Sequence, residues 1–126
     1  MKKVALFLLM VVASLFVVSP AFAMNSKVLL KRCSEAEKSF QKLEADNAKS
    51  LFCIGYLSGV VDTYDSLKNK DKEPLYCLPK NDMELYVRTV VKFLKDNPDY
   101  LSYNAPISII QSFIEAFPCS IPMSTQ

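Results

Sequence analysis

The sequence predicts an all-α protein, a compact bundle of four main helices held by two disulfides. Apolar residues recur at helical spacing in four separate segments, and no long run alternates apolar and polar residues as a strand would. The chain has only two glycines, and both lie inside one helical segment. Its four cysteines are an even number in a short chain, a pattern typical of two disulfides in an exported protein.

The N-terminal residues have the pattern of a cleavable secretory signal. Lys2 and Lys3 precede an almost unbroken apolar run over residues 4–18, and Ala21-Phe22-Ala23 is a small-x-small cleavage site. The run is short for a membrane span, so an uncleaved anchor is the weaker interpretation. We therefore expect a signal peptide over residues 1–23.

Residues 24–126 are then expected to form a single domain, free in solution in the periplasm. Because Met24 rather than a cysteine follows the cleavage site, no lipid attachment is expected. Loss of Lys2 and Lys3 from the 15 basic residues leaves 13, equal to the 13 acidic residues. A net charge of zero gives no reason to expect nucleic acid or a membrane surface as a partner.

Hairpin symmetry predicts how the cysteines pair. Cys33 and Cys53 lie ten residues either side of a turn near residue 43. Cys77 and Cys119 lie 21 residues either side of a turn near Pro98. Antiparallel helices bring such positions level, which favours Cys33–Cys53 and Cys77–Cys119 among the three possible pairings. A metal site is disfavoured, because the chain has no C-x-x-C pair and no histidine.

Capping residues indicate where the first two helices lie. Ser26 is the expected cap of the first helix, which runs to about Leu43. The second helix follows Asp46-Asn47 and reaches about Leu67, and a charged connection over residues 68–80 comes next. The apolar face expected for the first is Val28, Cys33, Ala36, Phe40 and Leu43, and that for the second is Phe52, Cys53, Tyr56, Leu57, Val60, Tyr64 and Leu67.

Capping residues and prolines mark the ends of the third and fourth helices more clearly. Asn81 and Glu84 predict a capping box, and Asn97-Pro98 ends the third helix. The fourth begins near Pro106 and stops at Pro118. The expected core faces are Leu85, Val87, Val90, Val91 and Leu94 in the third helix, and Ile107, Ile110, Phe113, Ile114 and Phe117 in the fourth.

Both glycines lie in the second helix, four residues apart. Glycine inside a helix costs about 1 kcal/mol relative to alanine. We therefore expect another helix or a partner to approach the backbone at Gly55 and Gly59, and we assign Gly55, Tyr56, Gly59 and Asp62 to a helix-packing or dimer motif. The alternative is a solvent-exposed face of small residues.

Nothing in the sequence predicts catalysis, a metal or a cofactor. Without histidine the commonest general base is missing, and disulfide-bonded cysteines cannot be nucleophiles. Asp62 and Asp65 are the only close carboxylate pair on a helix, and such pairs are more often solvated than catalytic. We therefore expect a protein that is not an enzyme.

A loop between the third and fourth helices carries residues suited to protein binding. Loop aromatics are common interface anchors, whereas in small domains they also fold back as lids on the core. The sequence leaves both alternatives open. The candidate partner-binding residues are Asp99, Tyr100, Leu101, Tyr103 and Asn104.

Four motifs in order resemble the Rap/Tai family, immunity proteins of bacterial type VI secretion. Residues 53–62, CIGYLSGVVD, resemble the family's C-x-G-Y-x-x-G-x-x-D segment. Cys77-Leu78-Pro79 resembles its C-L-P step, residues 91–98 its V-x-x-L…P helix end, and Phe117-Pro118-Cys119 its closing F-P-C. Lys80-Asn81 departs from the family, which often has a glycine shortly after C-L-P.

The resemblance implies a compact helical domain, often dimeric, that is not an enzyme. Family members with known roles bind peptidoglycan amidase effectors and block the active-site cleft. The hypothesis is therefore a periplasmic protein that inhibits a secreted cell-wall amidase effector, with a homodimer left open. The alternative is a stand-alone periplasmic helper of the same fold, such as a small chaperone or envelope adaptor.

Overall fold

Four α-helices and one short 3-10 helix make up the described part of the protein. The computed structural model describes Val4 and residues 23–67, 73–80 and 82–119, and these residues contain no strand. The elements are α1 (Ser26–Phe40), α2 (Asn47–Leu67), α3 (Met83–Asp96), the 3-10 helix (Pro98–Ser102) and α4 (Ala105–Ala116). The all-helical prediction is confirmed.

Both predicted disulfides are present. Cys33 bonds Cys53 and so joins α1 to α2, and Cys77 bonds Cys119, which joins the segment before α3 to the segment after α4. α1 packs against α2 and α3, and α3 packs against α4. The fully buried core between them includes Leu29, Leu57, Val87, Val90, Leu94, Ile109 and Phe113.

Two predicted helix caps are wrong by one residue. Asn25, not Ser26, caps α1, because its Oδ1 accepts a hydrogen bond from the Val28 N–H at 3.0 Å. Asp82 caps α3 in the same way, accepting from the Leu85 N–H at 2.9 Å. Asn81, the predicted cap, lies outside the described residues.

One helix end and one core face also differ from the prediction. α1 ends at Phe40 rather than near Leu43, and Lys42 follows in the left-handed conformation (φ 57°) that turns the chain towards α2. Leu43 is consequently exposed. In α3, Tyr86 and Phe93 are buried, although they were not expected on the core face, whereas Leu85 is only half-buried.

The predicted core faces of α2 and α4 are correct for most residues but not for all of them. Leu67 of α2 is 78% exposed, and Ser50, Cys53 and Leu57 are its buried residues. In α4 the predicted Ile110, Ile114 and Phe117 are partly buried against the core, whereas Ile107 is exposed. The buried residues of α4 are Ala105, Ser108, Ile109, Ser112 and Phe113.

The connection after α2 contributes a core residue. Tyr76 lies within the predicted charged connection, yet its ring stacks on that of Tyr64 at 4.2 Å and meets the edge of Phe113 at 5.4 Å. The Cys77 N–H donates to the Phe117 carbonyl at 2.9 Å, beside the second disulfide. Residues 68–72 of this connection lie outside the described residues.

Among the described residues, no helix combines the length and apolar character required to span a membrane. The predicted signal peptide lies outside the described residues except for Val4 and Ala23.

Candidate partner-binding surface

The loop between α3 and α4 is fixed to the start of α1. The Ser26 N–H donates to the Tyr103 carbonyl at 2.9 Å, and the Ala105 N–H donates to the Met24 carbonyl at 2.8 Å. The Ser26 hydroxyl lies 3.0 Å from the Tyr103 carbonyl and 2.7 Å from the Ser108 hydroxyl. These bonds hold residues far apart in sequence, so the loop is ordered by tertiary contacts as well as by its own 3-10 helix.

The two tyrosines of this loop have different environments. Tyr100 is half-buried and meets the edge of Phe93 at 4.9 Å, and Leu101 is also half-buried against the core. Tyr103 is 49% exposed and rests against Tyr100 at 5.1 Å. Of the two alternatives left open by the sequence, Tyr100 therefore takes the core position, and Tyr103 is accessible to a partner.

The predicted close packing at the glycines is wrong within the chain. Gly55 and Gly59 are exposed, and a Cβ built on either residue meets no atom within 4 Å beyond its own helix backbone and chain neighbours. No other described helix therefore packs directly on them. Contact with a partner or a second copy remains the prediction for this face.

An apolar groove of about 570 Å³ lies over the glycines, between α2 and the first turns of α4. α2 and α4 contact each other only sparsely, which leaves the groove open. It is lined by Gly55, Tyr56, Gly59, Tyr64, Pro106 and Ile110, among others. Partial burial raises the pKa of the Tyr56 hydroxyl, which therefore stays neutral in ordinary buffers.

The groove adjoins the loop, because Pro106 follows Asn104 by two residues. We call the loop Asp99–Asn104 together with this groove the loop–groove surface. It contains most of the residues that the sequence singled out. Asp62 is the exception, since it lines a separate cavity beside Asp65.

One exposed feature was missed by sequence reasoning. The guanidinium of Arg32 lies 3.7 Å from the ring centroid of Phe52, which the sequence had placed on the core face. Each residue precedes a cysteine of the bridge between α1 and α2. The predicted disulfide was therefore the available signal, because it brings these two segments together.

Two described carboxyl groups have lowered pKa values, and both stabilise the turn between α1 and α2. A hydrogen bond from Lys38 and one from the Asp46 N–H lower the pKa of Glu35. A hydrogen bond from Lys49 lowers the pKa of Asp46, which also caps the start of α2. They belong to the hairpin and not to the loop–groove surface.

The described residues thus present a fixed loop, an accessible tyrosine and an open apolar groove, an arrangement suited to binding a protein. They contain no group of three or more side chains placed to hold a metal ion. A sequence model of the Rap1a immunity proteins matches residues 25–119, most of the 126-residue chain.

The chain belongs to the Rap1a family of immunity proteins.

The Rap1a match begins at Asn25, the cap of α1, and ends at Cys119, the last disulfide cysteine. It therefore includes both disulfides and the whole loop–groove surface. Comparison with curated proteins and with solved structures found no match. Membership of the Rap1a family supports an immunity function, in which the protein binds an effector protein and inhibits it.

Proposed function

We propose that this Rap1a protein is a periplasmic immunity protein that binds and inhibits a type VI secretion effector, a peptidoglycan amidase. The observation that carries the proposal is the family match over residues 25–119. The amidase and the secretion system come from the motifs that resemble the Rap/Tai family. The loop–groove surface supplies side chains suited to that role.

The loop–groove surface is where we place effector contact. Tyr103 offers a large, accessible ring with a hydroxyl, flanked by exposed Asp99 and Asn104. Because the loop is bonded to Ser26 and Met24, little backbone freedom remains to be lost on binding. Such a surface can enter or cover a substrate cleft without major rearrangement.

The periplasmic location is supported by three features. Residues 1–23 have the pattern of a secretory signal, and disulfides form and persist in oxidising compartments. The family match begins at residue 25, just after the expected cleavage site. Cleavage before Met24 would leave its carbonyl, and hence its bond from the Ala105 N–H, in place.

A growth assay tests this proposal in cells. The secreted hydrolase encoded nearest the gene is directed to the periplasm, where it lyses the cell. We expect the full chain to restore growth, whereas a version that begins at Met24 should not, because it stays in the cytoplasm with reduced cysteines.

Immunoblots must show equal amounts of the two versions for the comparison to count. Protection by both versions would contradict the periplasmic location. Protection by neither would remove the immunity function against that hydrolase and favour the envelope-helper interpretation.

A further inference from the structure

A second cavity lies away from the loop and has a different chemical character. It measures about 650 Å³ and is formed by the second half of α2, the segment 73–80 and the start of α3. Its walls include Asp62, Tyr64, Asp65, Tyr76, Pro79 and Tyr86. Three tyrosine rings and two carboxylates therefore meet in one concave site.

The two carboxylates have no cationic partner within the described residues. Asp62 and Asp65 lie three positions apart on α2, which puts both on one side of that helix. The ion pairs between described residues all use other carboxylates. Lys80 also lines the cavity, and it forms no ion pair with either aspartate.

The Tyr76 hydroxyl is a second, independent feature of this cavity. The side chain is almost completely buried, with 1% of the residue exposed, and its hydroxyl has no hydrogen-bond partner among the described residues. The neighbouring tyrosines are satisfied, since the Tyr64 hydroxyl accepts from the Leu75 N–H and the Tyr86 hydroxyl donates to the Pro79 carbonyl. Buried polar groups in folded proteins nearly always have partners.

Asp65 acts on this hydroxyl through space. Burial above all, with smaller contributions from the neighbouring Tyr64 and from the negative charge of Asp65, raises the pKa of Tyr76 to about 12. The hydroxyl therefore stays protonated, and Tyr76 and Asp65 line the same cavity. A group with more than one N–H donor, placed between Asp65 and Tyr76, can donate to a carboxylate oxygen and to the hydroxyl oxygen.

We propose that this cavity binds a guanidinium group, that of an arginine side chain on the protein partner. A guanidinium has five N–H donors in a plane, enough for two carboxylates and one hydroxyl oxygen. Its flat face can stack on the tyrosine walls, whereas the compact ammonium of lysine cannot. That the arginine belongs to a protein partner rests on the proposed function. The preference of the cavity for a guanidinium group does not depend on that function.

The test is an NMR titration of the oxidised protein, purified from cells that express the full chain. The probe is N-acetyl-arginine methylamide, and its neutral isostere, N-acetyl-citrulline methylamide, is the matched control. The arginine probe should shift the amide signals of residues around Asp62, Asp65 and Tyr76 with millimolar affinity, of the order expected for a small ligand. Citrulline should bind roughly tenfold more weakly, because its bonds lack charge assistance.

Variants of the protein show whether the arginine probe binds in this cavity. The double variant Asp62→Asn, Asp65→Asn should lower affinity for the arginine probe roughly tenfold, since both positions are exposed and can change without loss of the fold. Tyr76→Phe, which removes only the unpaired hydroxyl, should weaken binding several-fold. Glu44→Gln, which changes an exposed carboxylate in the turn between α1 and α2, should leave it unchanged. If Tyr76→Phe alters the whole spectrum, the double variant decides the question.

Equal shifts with arginine and citrulline, shifts elsewhere on the protein, or no shifts would overturn the proposal. Equal affinity for N-acetyl-lysine methylamide would overturn the preference for guanidinium. The titration uses no effector, so its failure leaves the immunity function untouched. Failure to protect cells from a hydrolase likewise leaves the titration result intact.

Discussion

Ser26 shows how a single residue can take a role that its neighbours in sequence do not reveal. A serine before an apolar helix is typical of a cap, but Asn25 takes that position and Ser26 is fully buried. Its hydroxyl lies between the Tyr103 carbonyl and the Ser108 hydroxyl, 77 and 82 residues away. Sequence patterns within one helix carry no information about partners so distant.

Ser26→Ala should therefore lower the free energy of unfolding by about 1 kcal/mol, the net contribution of a typical buried hydrogen bond. The Tyr103 carbonyl keeps its bond from the backbone of residue 26, so a larger loss is not expected. Urea denaturation measures the change. The control is Ser34→Ala on the same helix, which should stay within about 0.5 kcal/mol of the parent.

At the scale of the elements, helix positions were more predictable than helix faces. Proline and cap residues give the bounds of α3 and α4 to within a residue or two, because they act locally. α4 has apolar residues on more than one side, and its buried residues include two small serines, Ser108 and Ser112. Ser112 can be buried there because its hydroxyl donates to the Ile109 carbonyl at 2.7 Å. Hydrophobicity alone does not predict buried serines in place of Ile107, which is exposed.

The candidate sites likewise include features that the sequence predicts and one feature that it does not. The tyrosine loop and the glycine pair are visible in sequence because their residue types are unusual at those positions. The second cavity depends on Tyr76, which lies among charges and prolines and gives no periodic signal. Its partner ring, Tyr64, belongs to a different element. Only the folded chain brings the two together.

Replacing the glycines of α2 by alanine should stabilise the free protein. A Cβ at Gly55 or Gly59 meets nothing within 4 Å, so each change should gain about 0.5–1 kcal/mol from helix propensity. Urea denaturation of the double variant Gly55→Ala, Gly59→Ala measures the gain, and sedimentation reports the size of both proteins. A destabilised variant that has also lost mass relative to a dimeric parent would show that a second copy packs on this face.

At the scale of the whole molecule, two disulfides and one hydrogen-bonded junction hold the loop–groove surface in place. One disulfide joins the α1–α2 hairpin, and the other closes the segments that flank α3 and α4. In the chain-entropy model each bridge contributes about 3–4 kcal/mol, which is large for a domain of this size. The junction between Met24, Ser26, Tyr103 and Ala105 then fixes the loop to this frame.

The proposed function requires that the loop–groove surface, held in this way, contacts the effector. Tyr103 is the most accessible aromatic of the loop, whereas Leu43 is an exposed apolar residue just past the far end of α1. The 15 residues of α1 separate the two regions by roughly 22 Å along the helix axis. Tyr103→Ala and Leu43→Ala are therefore matched surface truncations, one inside the loop–groove surface and one outside it.

The most direct measurement is the rate at which the secreted hydrolase encoded nearest the gene cleaves purified peptidoglycan, as oxidised protein is added. We expect the parent protein and Leu43→Ala to stop cleavage at near-equal concentrations. Tyr103→Ala should need about thirtyfold more, equivalent to about 2 kcal/mol for a buried interface anchor. Full inhibition by Tyr103→Ala at the parent concentration would contradict the placement of the site. Undiminished cleavage with excess parent protein would contradict an immunity function against that hydrolase.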